Sequence, residues 1–220
     1  GSGHVRIYNY NGSSWTQLGS DIDGENLSEV SGWSVSLSGD GHTVAIGDPE
    51  NYGGWPNSGH VRVYNYNGSS WTQLGQDIDG AQQDDKSGYS VSLSSDGSRV
   101  AIGAPFNDWS NADAGQVIIY EYDGTSWGGV GSINGEAAYD CSGYSVSLSS
   151  DGNTVAIGAP FNDGWISDGG HVRIFKWDGG FTWTQAGNDI DGNSGYRHSG
   201  FGLSLSSNGD TVAIGTPGIG

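Results

Sequence analysis

Three loop segments combine a tryptophan with asparagine or aspartate, a few residues after a proline. They contain Trp55 with Asn51, Trp109 with Asn107 and Asp108, and Trp165 with Asn162 and Asp163. An indole offers a flat apolar face and one N–H, while amides and carboxylates are directional hydrogen-bonding groups. This combination suits a sugar ring, which has both C–H faces and hydroxyls. The sequence therefore predicts weak saccharide sites at these eight residues. The alternative is that each tryptophan folds back onto its own structural unit.

Aspartates at alternate positions form a second candidate site. The pairs are Asp21 and Asp23, Asp77 and Asp79, and Asp189 and Asp191. Alternate residues of an extended segment point to the same side, so each pair could hold a divalent cation together with loop carbonyls. The corresponding segment Ser132-Ile133-Asn134 has no carboxylate. We therefore favour the alternative, in which the aspartates cap the turn into the next glycine.

The remaining reactive residues predict structural roles. His4, His60 and His171 recur at equivalent positions far apart in the sequence, as do Arg6, Arg62 and Arg173, so neither set is expected to converge on one metal ion. Cys141 is the single cysteine, which excludes an intramolecular disulfide. No Ser-His-Asp or metal-hydrolase motif stands out. We predict that the protein is not an enzyme.

A fourfold repeat must position all of these residues. Gly3-His4-Val5-Arg6-Ile7-Tyr8 has counterparts that begin at Gly59, Gly115 and Gly170. A repeat of this length indicates stacked supersecondary units that bury their apolar faces against one another. Residues that recur in every copy are therefore expected to be scaffold. On this basis six tryptophans are assigned to the core: Trp15, Trp33, Trp71, Trp127, Trp177 and Trp183.

Each copy contains the pattern of four antiparallel strands. Residues 31–38 alternate apolar and small polar side chains, which predicts a strand with one nearly bare face. Asp40-Gly41 then predicts a tight hairpin into a second strand at 43–47, which ends at Pro49. The third strand corresponds to residues 4–10, and the fourth carries the recurring tryptophan. Little or no helix is expected.

The repeat resembles the FG-GAP repeat of integrin α-subunit-like propellers over essentially the whole chain. Phe201-Gly202 reproduces the Phe-Gly element, and Gly103-Ala104-Pro105 and Gly158-Ala159-Pro160 reproduce the Gly-Ala-Pro element. The resemblance implies a propeller in extracellular or cell-surface proteins that serves adhesion or ligand binding. It also implies calcium loops between first and second strands. Here that hairpin holds a single carboxylate, whereas calcium takes about six to eight oxygens. We therefore expect no metal and no cofactor, with calcium as the ion to test.

We predict a single all-β domain over residues 1–220, a β-propeller of four-stranded antiparallel blades. The chain begins at a third strand and ends after a second strand. Four blades are therefore expected, with one blade shared between the N-terminal and C-terminal strands. Closure of two chains into an eight-bladed ring is the alternative, so a monomer and a homodimer both remain open.

Composition limits the class of partner. Seven basic and 25 acidic residues give a formal charge of −18, which argues against nucleic acid. No apolar run approaches the length of a membrane span, so membrane insertion is not expected. We predict an extracellular or cell-surface binding or adhesion module for glycans or surface proteins. The alternative is a non-catalytic scaffold, or a self-associating repeat unit, of a larger protein.

Overall fold

The computed structural model describes residues 1–27, 29–164, 166–180 and 182–218. These residues form twenty β-strands in small antiparallel sheets, and none of them lies in a helix. The described part of the chain thus has no helical segment that could cross a membrane. The all-β prediction is confirmed.

Three successive sheets have four or five strands each. The first comprises β5 (Ser34–Leu37), β6 (Thr43–Asp48), β7 (His60–Tyr66), β8 (Trp71–Gln73) and β9 (Ile78–Asp79). The second comprises β10 (Ser90–Leu93), β11 (Arg99–Ala104), β12 (Gln116–Tyr122) and β13 (Trp127–Asn134). The third comprises β14 (Ser145–Leu148), β15 (Thr154–Ala159), β16 (His171–Trp177), β17 (Trp183–Gln185) and β18 (Ile190–Asp191). In each sheet the first four strands pair in sequence order, and β9 and β18 extend the outer edge beside the third strand.

Shorter sheets lie at the two ends of the chain. The N-terminal strands are β1 (His4–Val5), β2 (Tyr8–Tyr10), β3 (Trp15–Gln17) and β4 (Ile22–Asp23), and the C-terminal strands are β19 (Gly202–Leu205) and β20 (Val212–Gly215). β1 pairs with β4, β2 with β3, and β19 with β20. By repeat position, β1 to β4 are third and fourth strands, and β19 and β20 are first and second strands.

The hairpin between first and second strands is held by its aspartate. Asp40 Oδ1 accepts hydrogen bonds from the Ser38 hydroxyl at 2.6 Å and from the His42 N–H at 2.9 Å. Gly41 has φ of 72°, which glycine adopts without steric cost. Asp96, Asp151 and Asn208 make the corresponding contacts in the other copies. The predicted hairpin is confirmed in all four copies.

The bare faces of the first strands allow successive sheets to approach closely. Ser34 Oγ donates to the Gly88 carbonyl at 2.7 Å, and Ser90 and Ser145 repeat this contact with the following sheet. A Cβ on Gly47 would lie only 2.1 Å from the Gly88 oxygen, so this position requires glycine. The first strands thus form the inner surface along which the sheets are joined.

Two of the six tryptophans assigned to the core are exposed, which corrects that prediction. Trp15 is 68% exposed and Trp33 is 55% exposed. Trp127 is buried, and Trp71, Trp177 and Trp183 are partly buried. Trp71 and Trp127 pack against the preceding sheet, and Trp15 would need a sheet before β1 to do the same. Trp33 begins an aromatic row and has a ring partner on one side only.

The predicted sheet shared between the N-terminal and C-terminal strands is not formed within this chain. β19 and β20 pair with each other, and no strand pairing joins either of them to β1 through β4 among the described residues. β6, β11 and β15 are buried along their length, whereas β20 alternates between half-buried and exposed residues. The three complete sheets and the three short end sheets therefore form an open arc, with no strand pairing between its two ends among the described residues.

Candidate functional site

The loops between second and third strands carry the predicted saccharide residues. They span residues 49–59, 105–115 and 160–170, and a proline begins each of them. Trp55 is 59% exposed and Trp109 is 72% exposed. Neither indole is folded into its sheet, so the alternative in which it acts as a lid does not describe them. Trp165 lies outside the described residues.

The three asparagines predicted to bind sugar are buried, so they are not exposed on the loop surface beside the tryptophans. Asn51, Asn107 and Asn162 are each less than a tenth exposed. The Asn51 amide donates to Glu29 at 2.7 Å, and the Asn162 amide donates to Asp140 at 3.0 Å. Asn107 Oδ1 accepts the N–H of Trp109, and Asn162 Oδ1 accepts that of Gly164. Asn51 and Asn162 thus tie their loops to the polar segment that precedes their own sheet, and Asn107 holds the Trp109 backbone directly.

The two aspartates of these loops are exposed and brace the loop backbone. Asp108 Oδ1 accepts the Asp113 N–H at 2.7 Å, and Asp163 Oδ1 accepts the Asp168 N–H at 2.9 Å. In both hydrogen bonds the N–H donor lies five residues after the aspartate. Both donor residues have a positive φ, which is 46° at Asp113 and 48° at Asp168. Burial, and then the charge of Asp108, raise the pKa of Asp113. Both aspartates therefore hold the loop, while their carboxylates still face solvent.

A cavity of about 310 Å³ lies beside the Trp55 indole and is lined by residues that the sequence did not indicate. Its other walls are Ala81, Gln82 and Gln83, from the segment between β9 and β10. Gln82 N–H donates to Asp85, and the Gln83 amide donates to the adjacent Asp84 at 3.0 Å. The site therefore joins an aromatic face to two glutamine side chains. The only sequence signal was that this polar segment ends at the same edge of the sheet as the tryptophan loop.

The second copy offers Trp109 a less polar neighbourhood. The backbone bond from Asp84 to Pro56 has its counterpart in the bond from Tyr139 to Ala112, so residues 137 and 138 correspond to Gln82 and Gln83. Both of these residues are alanine. The exposed indole of Trp109 therefore lacks the two amides present at Trp55. The loops that the sequence treated as equivalent differ in the hydrogen bonds that they can offer.

A second cavity, of about 280 Å³, is strongly acidic. Glu25, Glu29, Asp77 and Asp79 line it together with His60. Donor atoms of Glu25, His60 and Asp77 lie within 4.8 Å of one another, and Glu136, His171 and Asp189 form the same group in a later copy. These groups include aspartates from the pairs considered above. They bring histidine and carboxylates closer together than the sequence predicted.

Arginines already engage the glutamates of both groups. Arg62 contacts Glu25 at 3.2 Å and donates to the Asp23 carbonyl of the preceding sheet at 3.1 Å. Arg173 contacts Glu136 at 3.3 Å and donates to the Asn134 carbonyl at 2.7 Å. A guanidinium beside the carboxylate opposes the entry of a metal cation. The arrangement fits a polar connection between successive sheets better than a metal centre.

The aspartates and histidines of these groups have structural partners. The Gln73 amide donates to Asp77 at 2.6 Å, and Gln17 and Gln185 make the same contact with Asp21 and Asp189. Burial, and then the charge of Arg173, lower the pKa of His171. In the copy that lacks this network, four residues differ together: Ala81, Gln116, Ile118 and Ser132. Joint replacement is expected if these residues act as one unit.

Cys141 is not positioned for nucleophilic chemistry. Its side chain is buried, and burial, followed by the charges of Asp113 and Asp140, raises the pKa of the thiol to about 12. The thiolate is the nucleophilic form of cysteine, and it is scarce at neutral pH when the pKa is this high. The thiol is therefore expected to be unreactive.

Comparison with known proteins relates the chain to solved structures only. No family model matches it, and no curated protein matches it. A functionally unknown protein from Desulfotomaculum acetoxidans DSM 771 superposes with a TM-score of 0.62 at 12% identity, over 98% of this chain and 56% of that chain. A putative 6-phosphogluconolactonase from Bacteroides uniformis ATCC 8492 superposes with a TM-score of 0.60 at 13% identity, over 97% of this chain and 60% of that chain. These similarities show a shared fold, and the chain spans less than two thirds of either structure.

Proposed function

We propose that this chain is a non-catalytic, extracellular or cell-surface binding module, built from β-propeller blades, that binds saccharides at Trp55. The observation that carries the proposal is the exposed Trp55 indole beside a cavity lined by Gln82 and Gln83. The indole supplies an apolar face for a sugar ring, and each glutamine amide supplies both donors and an acceptor for hydroxyls. The resemblance of the repeat to FG-GAP propellers supports the surface location.

The geometry concentrates binding at Trp55. A site that pairs one indole with two amides is expected to bind a single sugar weakly, since the cavity is open and the glutamines are solvated. Trp109 adds an exposed aromatic face without matching amides, so it would contribute to a longer glycan only where both loops are reached at once. Binding at two loops would raise the apparent affinity through effective concentration.

Titration of the intact chain with a panel of mono- and oligosaccharides, followed by tryptophan fluorescence and calorimetry, tests this proposal. Saturable binding of monosaccharides that is lost in Trp55→Ala and retained in Trp109→Ala is the expected result. Trp109→Ala is the matched control because it removes an exposed indole from the corresponding loop. Absence of a response to every saccharide would reject the proposal and leave the alternative, a scaffold or self-associating unit without a small ligand.

A further inference from the structure

The contacts between successive sheets repeat with the same donors and acceptors. The turn of each first hairpin bonds to the next one: Gly39 N–H to Ser95 O, Ser95 N–H to Ser150 O, and Ser150 N–H to Ser207 O, at 2.7 to 2.9 Å. On the inner strands, Leu93, Leu148 and Leu205 each donate their N–H to a serine hydroxyl of the preceding sheet. Every sheet therefore presents one surface to the sheet before it and a complementary surface to the sheet after it.

A row of aromatic rings also repeats the same contact from each sheet to the next. The ring centroids of Trp33 and Tyr89 are 5.4 Å apart, and those of Tyr89 and Tyr144, and of Tyr144 and Phe201, are 4.8 Å apart. The two terminal rings of this row, Trp33 and Phe201, are both exposed. The row thus ends, at each end of the arc, with an aromatic ring that has one face exposed.

The first end of the arc exposes the apolar face of β5. Trp33, Val35 and Leu37 are each at least half exposed, whereas the equivalent Leu93 and Leu148 are buried by the sheet before them. On the outer strands, Trp15 differs from the equivalent Trp71 in the same way. Trp71 Nε1 donates to the Leu18 carbonyl of the preceding sheet at 2.8 Å, while Trp15 remains 68% exposed.

The second end of the arc has an unpaired strand edge. In the complete sheets the second strand pairs with the third on one side and the first on the other. Within the described part of the chain, β20 pairs only with β19. In the first complete sheet, Val44 of the second strand is opposite Tyr64 of the third, and Ile46 is opposite Arg62. The same register identifies the third strand that would pair with the free edge of β20. By repeat position that strand contains Tyr8 opposite Val212 and Arg6 opposite Ile214. An exposed strand edge of this kind is a template for pairing.

We propose that the two ends of the arc bind a second copy of this chain, so that two copies close one ring of eight sheets through two identical interfaces. In each interface β20 of one copy pairs with the segment of β1 and β2 of its partner, which completes a four-stranded sheet. Phe201 stacks on Trp33 of the partner subunit. The indole of the partner's Trp15 donates to the Ala186 carbonyl, as Trp71 does to Leu18. The proposal does not depend on saccharide binding.

The openness of the arc favours a second copy over closure by the chain's own two ends. A copy that closed on itself would cover these end surfaces with its own opposite end. Instead, Trp15, Trp33 and Leu37 remain exposed, and no strand pairing joins β20 to β1 through β4 among the described residues. A head-to-tail interface closes only if the rotation per step completes a circle. Two copies contribute six complete sheets and two shared ones.

Charge predicts how the association responds to salt. Each copy carries a formal charge of −18, so two copies repel at long range. The interface itself is formed by aromatic and aliphatic side chains and backbone pairing. Added salt screens the repulsion and leaves the apolar contacts, so association is expected to strengthen as ionic strength rises.

The test measures the mass of the particle that the intact chain forms in solution, and whether a designed disulfide forms within one chain or between two chains. Sedimentation and light scattering are expected to show a particle of about twice 22.9 kDa, with no larger species. Trp15→Ala should shift the population towards monomer without unfolding it, because this side chain is exposed in the single copy. Exposed Tyr139 lies between β13 and β14, in the middle of the array of sheets, so Tyr139→Ala should leave the mass unchanged.

The double variant Arg6→Cys/Ile214→Cys shows whether β20 pairs with a second copy or with the N-terminal strands of its own chain. Directly opposed residues in antiparallel strands place their Cβ atoms within reach of a disulfide. A covalent dimer on non-reducing gels is expected. In Arg6→Cys/Thr216→Cys the second cysteine is two residues out of register and should cross-link more slowly. A monomer with an intrachain disulfide would replace the proposal with closure of one copy on itself. A monomer without cross-linking, or a series of larger oligomers, would also overturn it.

Discussion

The indole Nε1 of Trp127 donates a 2.9 Å hydrogen bond to the carbonyl of Leu74, which lies in the preceding sheet. Trp71 and Leu18 form the same pair one repeat earlier, at 2.8 Å. Because the donor and acceptor belong to different sheets, this bond couples the folding of neighbouring repeats. Such coupling through nearest-neighbour contacts is how a repeat array gains its stability.

Trp127→Phe is expected to lower the free energy of unfolding by about 1 to 3 kcal/mol, because it leaves the Leu74 carbonyl without its donor in a buried contact. Trp183 is the matched control. It occupies the equivalent position, and its Nε1 has no hydrogen-bond partner among the residues that the structure describes. Trp183→Phe should therefore cost less. Chemical denaturation followed by circular dichroism measures both, and equal losses would contradict the assigned role of the hydrogen bond.

Substitution of the glutamines should weaken saccharide binding in proportion to the amides removed. Gln82→Ala/Gln83→Ala reproduces the two alanines found at residues 137 and 138, and we expect at least a tenfold rise in Kd, about 1.4 kcal/mol. Gln82→Ala and Gln83→Ala separately should show smaller losses. Calorimetry of the saccharide that binds wild type best is the measurement. Unchanged affinity in the double variant would place the ligand on the indole alone.

Acid is expected to weaken the first-strand hairpins. The hydroxyl of Ser149 donates to Asp151, and this bond is the largest of the influences that lower the pKa of the carboxyl below its usual value. The folded state therefore binds a proton less readily than the unfolded state. The resulting stability is present above the unfolded pKa and is lost as pH falls through the lower, folded pKa.

Asp151→Asn should reduce the part of acid destabilisation that comes from this carboxyl and leave the fold intact at neutral pH. Asn208 is the natural precedent, since its Oδ1 accepts the Ser206 hydroxyl at 2.7 Å in the corresponding turn. The measurement is the urea concentration at the unfolding midpoint of wild type and of Asp151→Asn, taken from about pH 2 to about pH 7, a range that includes the titration of carboxyl groups. An unchanged pH profile would show that the carboxyl contributes nothing to acid sensitivity.

Calcium and chelator are expected to leave the thermal midpoint unchanged. Arg62 already neutralises Glu25, and the histidines of the two acidic groups are buried. Thermal unfolding with added Ca²⁺, with Zn²⁺ and with EDTA measures the effect. As a control, Glu25→Gln weakens the pair with Arg62 and removes one candidate ligand. A rise in midpoint with either metal that disappears in this variant would reassign the group as a metal site.

Local features of the fold were predictable from the sequence because they depend on short-range backbone preferences. Strand alternation at residues 31–38 and the turn at Asp40-Gly41 both form as expected. The candidate site was predicted only in part. The sequence placed Trp55 and Trp109 outside the common repeat positions but left open whether they are exposed or fold back onto their own sheets. The structure decided their exposure. The burial of Asn51 and the contribution of Gln82 and Gln83 likewise depended on where a distant segment meets the loop.

The segments Tyr8–Gly19 and Tyr64–Gly75 have the same sequence, residue for residue. By itself that sequence determined a hairpin with a tryptophan on its second strand, and both copies form it. Tertiary structure alone decided whether the tryptophan is covered. Trp71 lies against the sheet that precedes it, while Trp15 has no such sheet in the single copy. Burial depends on what packs against a residue from elsewhere, and identical local sequences cannot encode that difference.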